Sequence, residues 1–315
     1  MEKQNKLFIG IDVSKATIDI YFSEKHFKIK NDKKSICEFI KSEITSKNIK
    51  PTLVCLESTG GYENVAMEAF CEASIPIHRA HPNRVHDFAK ACGHFAKTDK
   101  LDAKLLEKYA AFVEREQKGD VAVSKATLEL QELRSIERNL MEDLHATQCR
   151  MEHIKGKGAK YLEAHISFIK EEIEKVRKEM GEVIESDEKL KNKNALLKSY
   201  KGVGNQVSSV LLAQLPELGA LSNKEIALLV GVAPKISHSG IKTPSGHISG
   251  GRFHVRKAMY MAALVAARYN KKMKAFYERL LQNGKAKKVA LTAVMRKIVV
   301  CLNSMLKNNS AYIEQ

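Results

Sequence analysis

The sequence predicts a three-part chain: an α/β domain over residues 1–117, an antiparallel coiled-coil arm over 118–195, and a mainly α-helical domain over 196–315. Three observations lead there. Short apolar runs alternate with helical periodicity through the first third. A charge-balanced middle then repeats its apolar residues at spacings of three and four. Beyond it, apolar-periodic segments are broken by a single polar loop rich in serine and glycine.

In the first part, "LFIGIDVS", "ATIDIYF" and "HFKIKN" read as three consecutive strands joined by tight turns. "SICEFIKSEITSKN" has helical spacing, and "PTLVCLEST" holds a short apolar strand stopped by Gly-Gly. Residues 63–73 read as helix, "IPIHRAH" as strand, and two helical stretches follow near 82–92 and 100–116. Antiparallel strands followed by strand–helix alternation predict a mixed sheet with helices packed on it.

The middle carries 15 basic and 16 acidic residues in 78 positions. Leu133, Ile136, Leu140, Leu144, Met151 and Ile154 make one apolar seam. Leu162, Ile166, Ile169, Ile173, Val176, Met180, Val183 and Leu190 make a second, interrupted at Asp187, with "KGKGAK" between the two. The pattern predicts two long helices folding back on each other, with a structural role only.

The third part opens with "KGVGNQVSSVLLAQL", a Gly-x-Gly turn entering a helix that can offer backbone amides to a phosphate or serve simply as a turn. The polar loop carries Ser237, Ser239, Ser245 and Ser249, and a helix with Arg252, Arg256, Lys257 and Arg268 follows. Lys285, Lys287 and Lys288 cluster at the start of the last helix. Residues 196–315 hold 19 Lys+Arg against 4 Asp+Glu, while residues 1–195 hold 34 against 33. Nearly the whole net charge of +16 therefore sits in the last 120 residues, which predicts a polyanion-binding surface.

Composition excludes several classes. No run of about 18 apolar residues and no leader pattern is seen, so neither a membrane span nor a signal peptide is expected. Six scattered cysteines without a CxxC pair fit a reduced cytoplasmic protein lacking structural zinc.

The acids carry the chemistry. Asp12 lies in the otherwise apolar "FIGIDVSK", where a buried carboxylate needs a cation, a donor or a metal. Glu57 ends the apolar "TLVCLE". Asp99 and Asp102, three apart on a helix, share one face. Taken singly, the two aspartates also read as a helix cap or as partners of Lys97, Lys100 and Lys104, and Glu57 as a strand end. Together, four oxygen ligands from two strands and a helix suit Mg²⁺ or Mn²⁺ in phosphodiester chemistry. Three opening strands, a strand ending in Glu and a D-x-x-D helix predict an RNase H/RuvC-like fold.

The segments "IGIDVSK", "LESTGGYE" and "KTDKLDAKLL" resemble the D, E and D-x-x-D elements of the IS110 family of insertion-sequence transposases, which includes the Piv-type DNA invertases. "GVAPKISHSGIKTPSGHISGGRFHVRKAMYMAALVAARYN" resembles that family's C-terminal transposase domain. The resemblance implies site-specific DNA recombination guided by a structured bridge RNA that pairs with donor and target DNA. It implies Mg²⁺ held by Asp12, Glu57, Asp99 and Asp102, and Ser239 as the nucleophile, with Ser237 and Ser249 as competing serines. His238 stands where the family pattern suggests an acidic or neutral polar residue. A bacterial or archaeal cytoplasm follows as the setting, with the protein nucleoid-associated when active.

No convincing Ser-His-Asp arrangement is local to the loop, so activation by the acid cluster is the simpler expectation. Ser239 lies 137 residues from Asp102, and a composite site in a homo-oligomer, dimer or tetramer, would join the two. The basic residues Arg252, Arg256, Lys257, Arg268, Lys285, Lys287 and Lys288 are expected to hold phosphates with little base readout. Two other readings remain at this point: a metal-dependent nuclease such as a junction resolvase without a serine nucleophile, and a non-catalytic nucleic-acid scaffold.

Overall fold

A computed structural model describes residues 6–93, 99–116, 124–235 and 247–313. The chain divides into two compact units, Met1–Lys125 and Ala126–Gln315.

The first unit is a five-stranded sheet with helices. Strands β1 (Phe8–Val13), β2 (Thr17–Phe22) and β3 (Lys25–Lys30) form an antiparallel meander. Its middle strand reads T-I-D-I-Y-F and is buried on both faces, whereas β3 alternates charged and apolar residues at the sheet edge. Asp32 caps α1 (Lys33–Phe39) by accepting from Ser35 N, and the helix continues as a π-helical stretch, Ile40–Thr45. Then come β4 (Leu53–Glu57), α2 (Asn64–Glu72), β5 (Ile77–Ala80), α3 (Pro82–Ala91) and α4 (Asp99–Glu116). Proline opens α3, where its missing N–H costs nothing. The strand order is β3-β2-β1-β4-β5, with β4 and β5 parallel to β1. Leu105, Leu106, Tyr109, Ala110 and Val113 of α4 pack on Leu53 and Cys55 of β4, Ala80 of β5 and Val85 of α3.

The second unit is helical among the described residues apart from one two-stranded ribbon. Helices α5 (Lys125–His153) and α6 (Ala159–Ser186) run antiparallel, tied by Arg177 of α6 to Glu137 of α5 at 2.8 Å. Their seams are unequal. Ile169, Ile173, Val176, Met180 and Val183 of α6 are buried, whereas Ile136 on α5 and Ile154 just past its end are exposed and Glu137 takes a buried place. Two cationic partners, Arg134 and Arg177, let that carboxylate stand buried next to the expected seam position Ile136. Asp187, which interrupts the apolar pattern, caps α7 (Glu188–Ser199) by accepting from Leu190 N.

Helices α8 (Asn205–Gln214), α9 (Asn223–Val230), α10 (Phe253–Tyr269), α11 (Lys271–Gln282) and α12 (Lys287–Lys307) follow. Ser222 and Glu225 form a capping box at the start of α9. Alone among the described helices, α12 is long and apolar enough to cross a membrane by composition. Its Val294, Ile298 and Leu302 are fully buried beside Val255, Met259 and Ala263 of α10, as befits the central helix of a core. Buried Asn303 accepts from Gly219 N and donates to Leu221 O and Asn223 Oδ1, tying α12 to the approach to α9.

Candidate active site

Gly10 fixes which sheet face carries the acids. A Cβ there would fall within 3.0 Å of Ala103 O, Glu107 N and Leu106 C, so α4 lies directly on β1 and only a hydrogen fits between them. Strand and helix run in opposite directions, because Lys6 before β1 pairs with Glu114 near the end of α4. Asp12, two residues past Gly10 and therefore on the same face, lies toward the first turn of α4, which carries Asp99 and Asp102. On β4, Gly10 pairs with Cys55 in parallel register, and Glu57 stands two residues past Cys55 on that face. Asp12, Glu57 and the turn bearing Asp102 thus share one end of one sheet face.

All three of these acids are half-buried and none is without a partner in the fold. Among the described residues, no three His, Cys, Asp or Glu side chains lie close enough to share an ion, and the side chain of Asp99 is outside that set. In kind, an all-oxygen donor set suits a hard divalent cation.

The acid buried in this sheet is not Asp12 but Asp19. It stands directly opposite Asp12 in the β1–β2 ladder, and so on the same face. It is 5% exposed, and its carboxylate takes His26 Nε2 at 2.7 Å and Lys28 Nζ at 3.0 Å. Asp12, at the strand end, keeps some access to solvent. The period-two pattern of β2 and β3 was the signal, since it places Asp19, His26 and Lys28 on one side. Lys104, expected as a partner of the aspartates, holds its Nζ 5.4 Å from the centre of the Tyr21 ring.

Glu63 is a second acid that sequence reading passed over. It is 2% exposed and accepts from Thr59 N at 3.1 Å, Gly61 N at 2.8 Å and the hydroxyls of Ser58 and Thr59. Gly60 and Gly61 both have positive φ, so this carboxylate organises the tight loop that leaves Glu57. Burial raises its pKa, but the backbone N–H groups and Arg79 outweigh that and hold it below the ordinary glutamate value.

In the second unit, Ser237, Ser239 and Ser245 lie outside the described residues. Pro234–Lys235 (β6) and His247–Ile248 (β7) pair antiparallel, which brings the two ends of the loop together. Below that ribbon, Gly231 ends α9 at φ 77°, and a Cβ on Gly251 would collide with its backbone. Ser249, half-buried, directly follows β7.

Arg252 belongs to this base. Its guanidinium meets Glu217 with Nη1 at 2.6 Å and Nη2 at 2.5 Å, and Nη1 also donates to Gln214 O at 2.7 Å. Its backbone N–H donates to Leu229 O. A guanidinium so engaged braces the fold while keeping partial exposure. Arg256 donates to Gly250 O and lies 5.9 Å from the Phe253 ring centre. Lys257 and Arg268 on α10, and Lys285, Lys287 and Lys288 around the start of α12, are exposed and pair with no carboxylate among the described residues.

Two family models match the chain in order and without overlap. Residues 9–154 match a DEDD transposase model of the IS110 type, described as a transposase. Residues 194–278 match the transposase IS116/IS110/IS902 family. The pilin gene-inverting proteins of Moraxella bovis and Moraxella lacunata are each 26% identical over 98% of this chain and 98% of their own.

Proposed function

The chain belongs to the IS116/IS110/IS902 transposase family and is a DNA recombinase of the insertion-sequence type, and on that premise we propose that Ser239 is its nucleophile, with Asp12, Glu57, Asp99 and Asp102 as holders of Mg²⁺ or Mn²⁺. One observation carries the acid half: Asp12 and Glu57 end neighbouring parallel strands on the single face that Gly10 opens to the first turn of α4. The strand order β3-β2-β1-β4-β5 supports an RNase H/RuvC-like reading of this unit.

In the proposed cleavage the Ser239 oxygen forms a bond to a DNA phosphorus and the bond from phosphorus to the 3′ oxygen breaks. The serine hydroxyl gives up its proton and the departing 3′ oxygen takes one, leaving a phosphoserine link and a free 3′-hydroxyl. Attack by another strand's 3′-hydroxyl on that link rejoins DNA and restores the serine. The ribbon of β6 and β7, locked at Gly231, Gly251 and Arg252, holds both ends of the serine loop. A bound divalent ion would supply positive charge for the phosphate oxygens. Among the chain's own cations, Lys257, Arg268, Lys285, Lys287 and Lys288 are open to receive phosphate backbone, of the DNA and of a guide RNA. The serine and the acids meet, in this reading, in a composite site of a homo-oligomer. Likeness to pilin gene-inverting proteins supports inversion as one outcome alongside insertion and excision.

The deciding experiment compares Ser239→Ala with Asp102→Ala on donor and target DNA, with and without RNA that co-purifies with the protein. Both variants should lose recombination, and Ser239→Ala should also lose the covalent protein–DNA adduct. Cleavage that persists in Ser239→Ala would support the nuclease reading instead. DNA outcomes unchanged by Asp102→Ala and by removal of Mg²⁺ would leave only a scaffold.

A further inference from the structure

The α5/α6 hairpin carries a cluster of cations that neither the acid face nor the loop ribbon uses. Arg134 and Arg138 lie one turn apart on α5, and Arg177 approaches from α6. Glu137, 1% exposed, takes Arg134 and Arg177 together, so one carboxylate serves two guanidiniums. Glu174 adds an exposed contact to Arg177 at 2.6 Å. Gln206, in the first turn of α8 just past the Gly202–Gly204 turn, joins the cluster: its amide oxygen accepts from Arg177 Nε at 2.7 Å and its amide nitrogen donates to Glu137 Oε1 at 3.2 Å.

Arg138 is the odd member. Among the described residues its partners are neutral: it donates to Ser135 Oγ at 3.1 Å, and Nη1 lies 3.5 Å from His254 Nε2. His254 stands in the first turn of α10, which contains no acid. The surrounding potential is positive. Burial first, then Arg138, Arg134 and Lys257, hold the His254 pKa below its ordinary value, with Glu142 acting the other way. Burial, then Arg177 and Arg138, likewise lower that of Arg134. A network built only to brace the hairpin would match each guanidinium with a carboxylate, and this one leaves Arg138 unmatched beside a neutral imidazole.

We propose that Arg138, flanked by Arg134, His254 and Lys257, grips the phosphodiester backbone of a nucleic acid. The planar guanidinium suits bidentate contact with phosphate oxygens, and three neighbouring cations or donors can share the charge. The hairpin is then more than a spacer: its base joins the Gly-x-Gly turn and the start of α10 in one backbone-binding surface. This rests on the reading of the chain as a nucleic-acid enzyme, but not on Ser239 or on any metal.

The test is binding alone, in EDTA, by fluorescence anisotropy of the full-length protein with a duplex DNA and a structured RNA between 50 and 200 mM salt. Arg138→Ala should weaken binding roughly five- to tenfold at about 0.1 M salt and lower the salt slope by about one. His254→Ala should weaken it less, and Arg138→Lys should restore the slope but not the full affinity. Lys170→Ala, on the exposed outer face of α6, is the control. Loss confined to the RNA, to the DNA, or common to both assigns the contact to that backbone. Unchanged affinity and slope on both probes in Arg138→Ala and His254→Ala, with circular dichroism matching wild type, would overturn the proposal. Because no cleavage is read, loss of the serine mechanism would not alter this result.

Discussion

Gly10 and Ala103 are in backbone contact: a methyl group on Gly10 would collide with the Ala103 carbonyl oxygen. Everything at the acid face depends on that approach, because it presses the first turn of α4 toward the strand ends that carry Asp12 and Glu57. A residue with any side chain at position 10 must lift the helix. Gly10→Ala should cost about 1–3 kcal/mol by overpacking and displace Asp102 from the strand ends. Thermal melting of the variant, with and without Mg²⁺, checks this: the midpoint should fall by several degrees, and any stabilisation by Mg²⁺ should shrink. A variant that melts and responds like wild type would show that α4 does not depend on the glycine.

Arg252 and Glu217 make a paired, two-point contact that braces the exit of the serine loop. Arg252→Ala should therefore destabilise the fold by about 1–2 kcal/mol, given partial exposure of the pair. Arg252→Lys should recover little, since an ammonium cannot match both oxygens. Exchange of the two charges, Arg252→Glu with Glu217→Arg, should recover part of the loss. A residue that only touched phosphate would instead leave the melting midpoint unchanged and alter nucleic-acid affinity alone.

Glu63 gives the acid face a defined pH response. Its folded-state pKa is depressed, so its contribution is fully present above the ordinary glutamate value of 4.5 and is lost as pH falls through the depressed value. The difference in melting midpoint between wild type and Glu63→Gln should hold constant from about pH 7 to pH 5.5 and narrow in more acid solution. A difference that widened on acidification would contradict a charged Glu63. In the same variant the Gly60–Gly61 loop keeps only a neutral amide oxygen in place of the carboxylate, so the setting of Glu57 should loosen even where the fold survives.

Strand and helix periodicities are local properties of the chain, so the order of strands and helices in the first unit was legible, whereas in the second unit the seam read through Leu190 is divided between α6 and α7. The sequence also singled out Asp12, Glu57 and the Asp99–Asp102 pair, since acids in or beside apolar runs are conspicuous. Helix ends at Asp32, Asp187 and Ser222 were legible in principle, as each cap is set by residues within one turn of it.

Which charges are already engaged emerges only once the chain is folded. Arg252 reads in sequence as one more cation of a basic domain, but Glu217, 35 positions earlier, consumes it. Asp19 reads as an ordinary polar position of a strand, but the edge strand closes over it with His26 and Lys28. Arg138 reads as half of a balanced helical arm, but folding matches Glu137 to its neighbours and leaves it unmatched. Composition counts charges, whereas desolvation and pairing depend on residues that are distant in the chain and adjacent in space. That is why the acids were visible before the fold was known, and the division of the arginines into struts and open contacts was not.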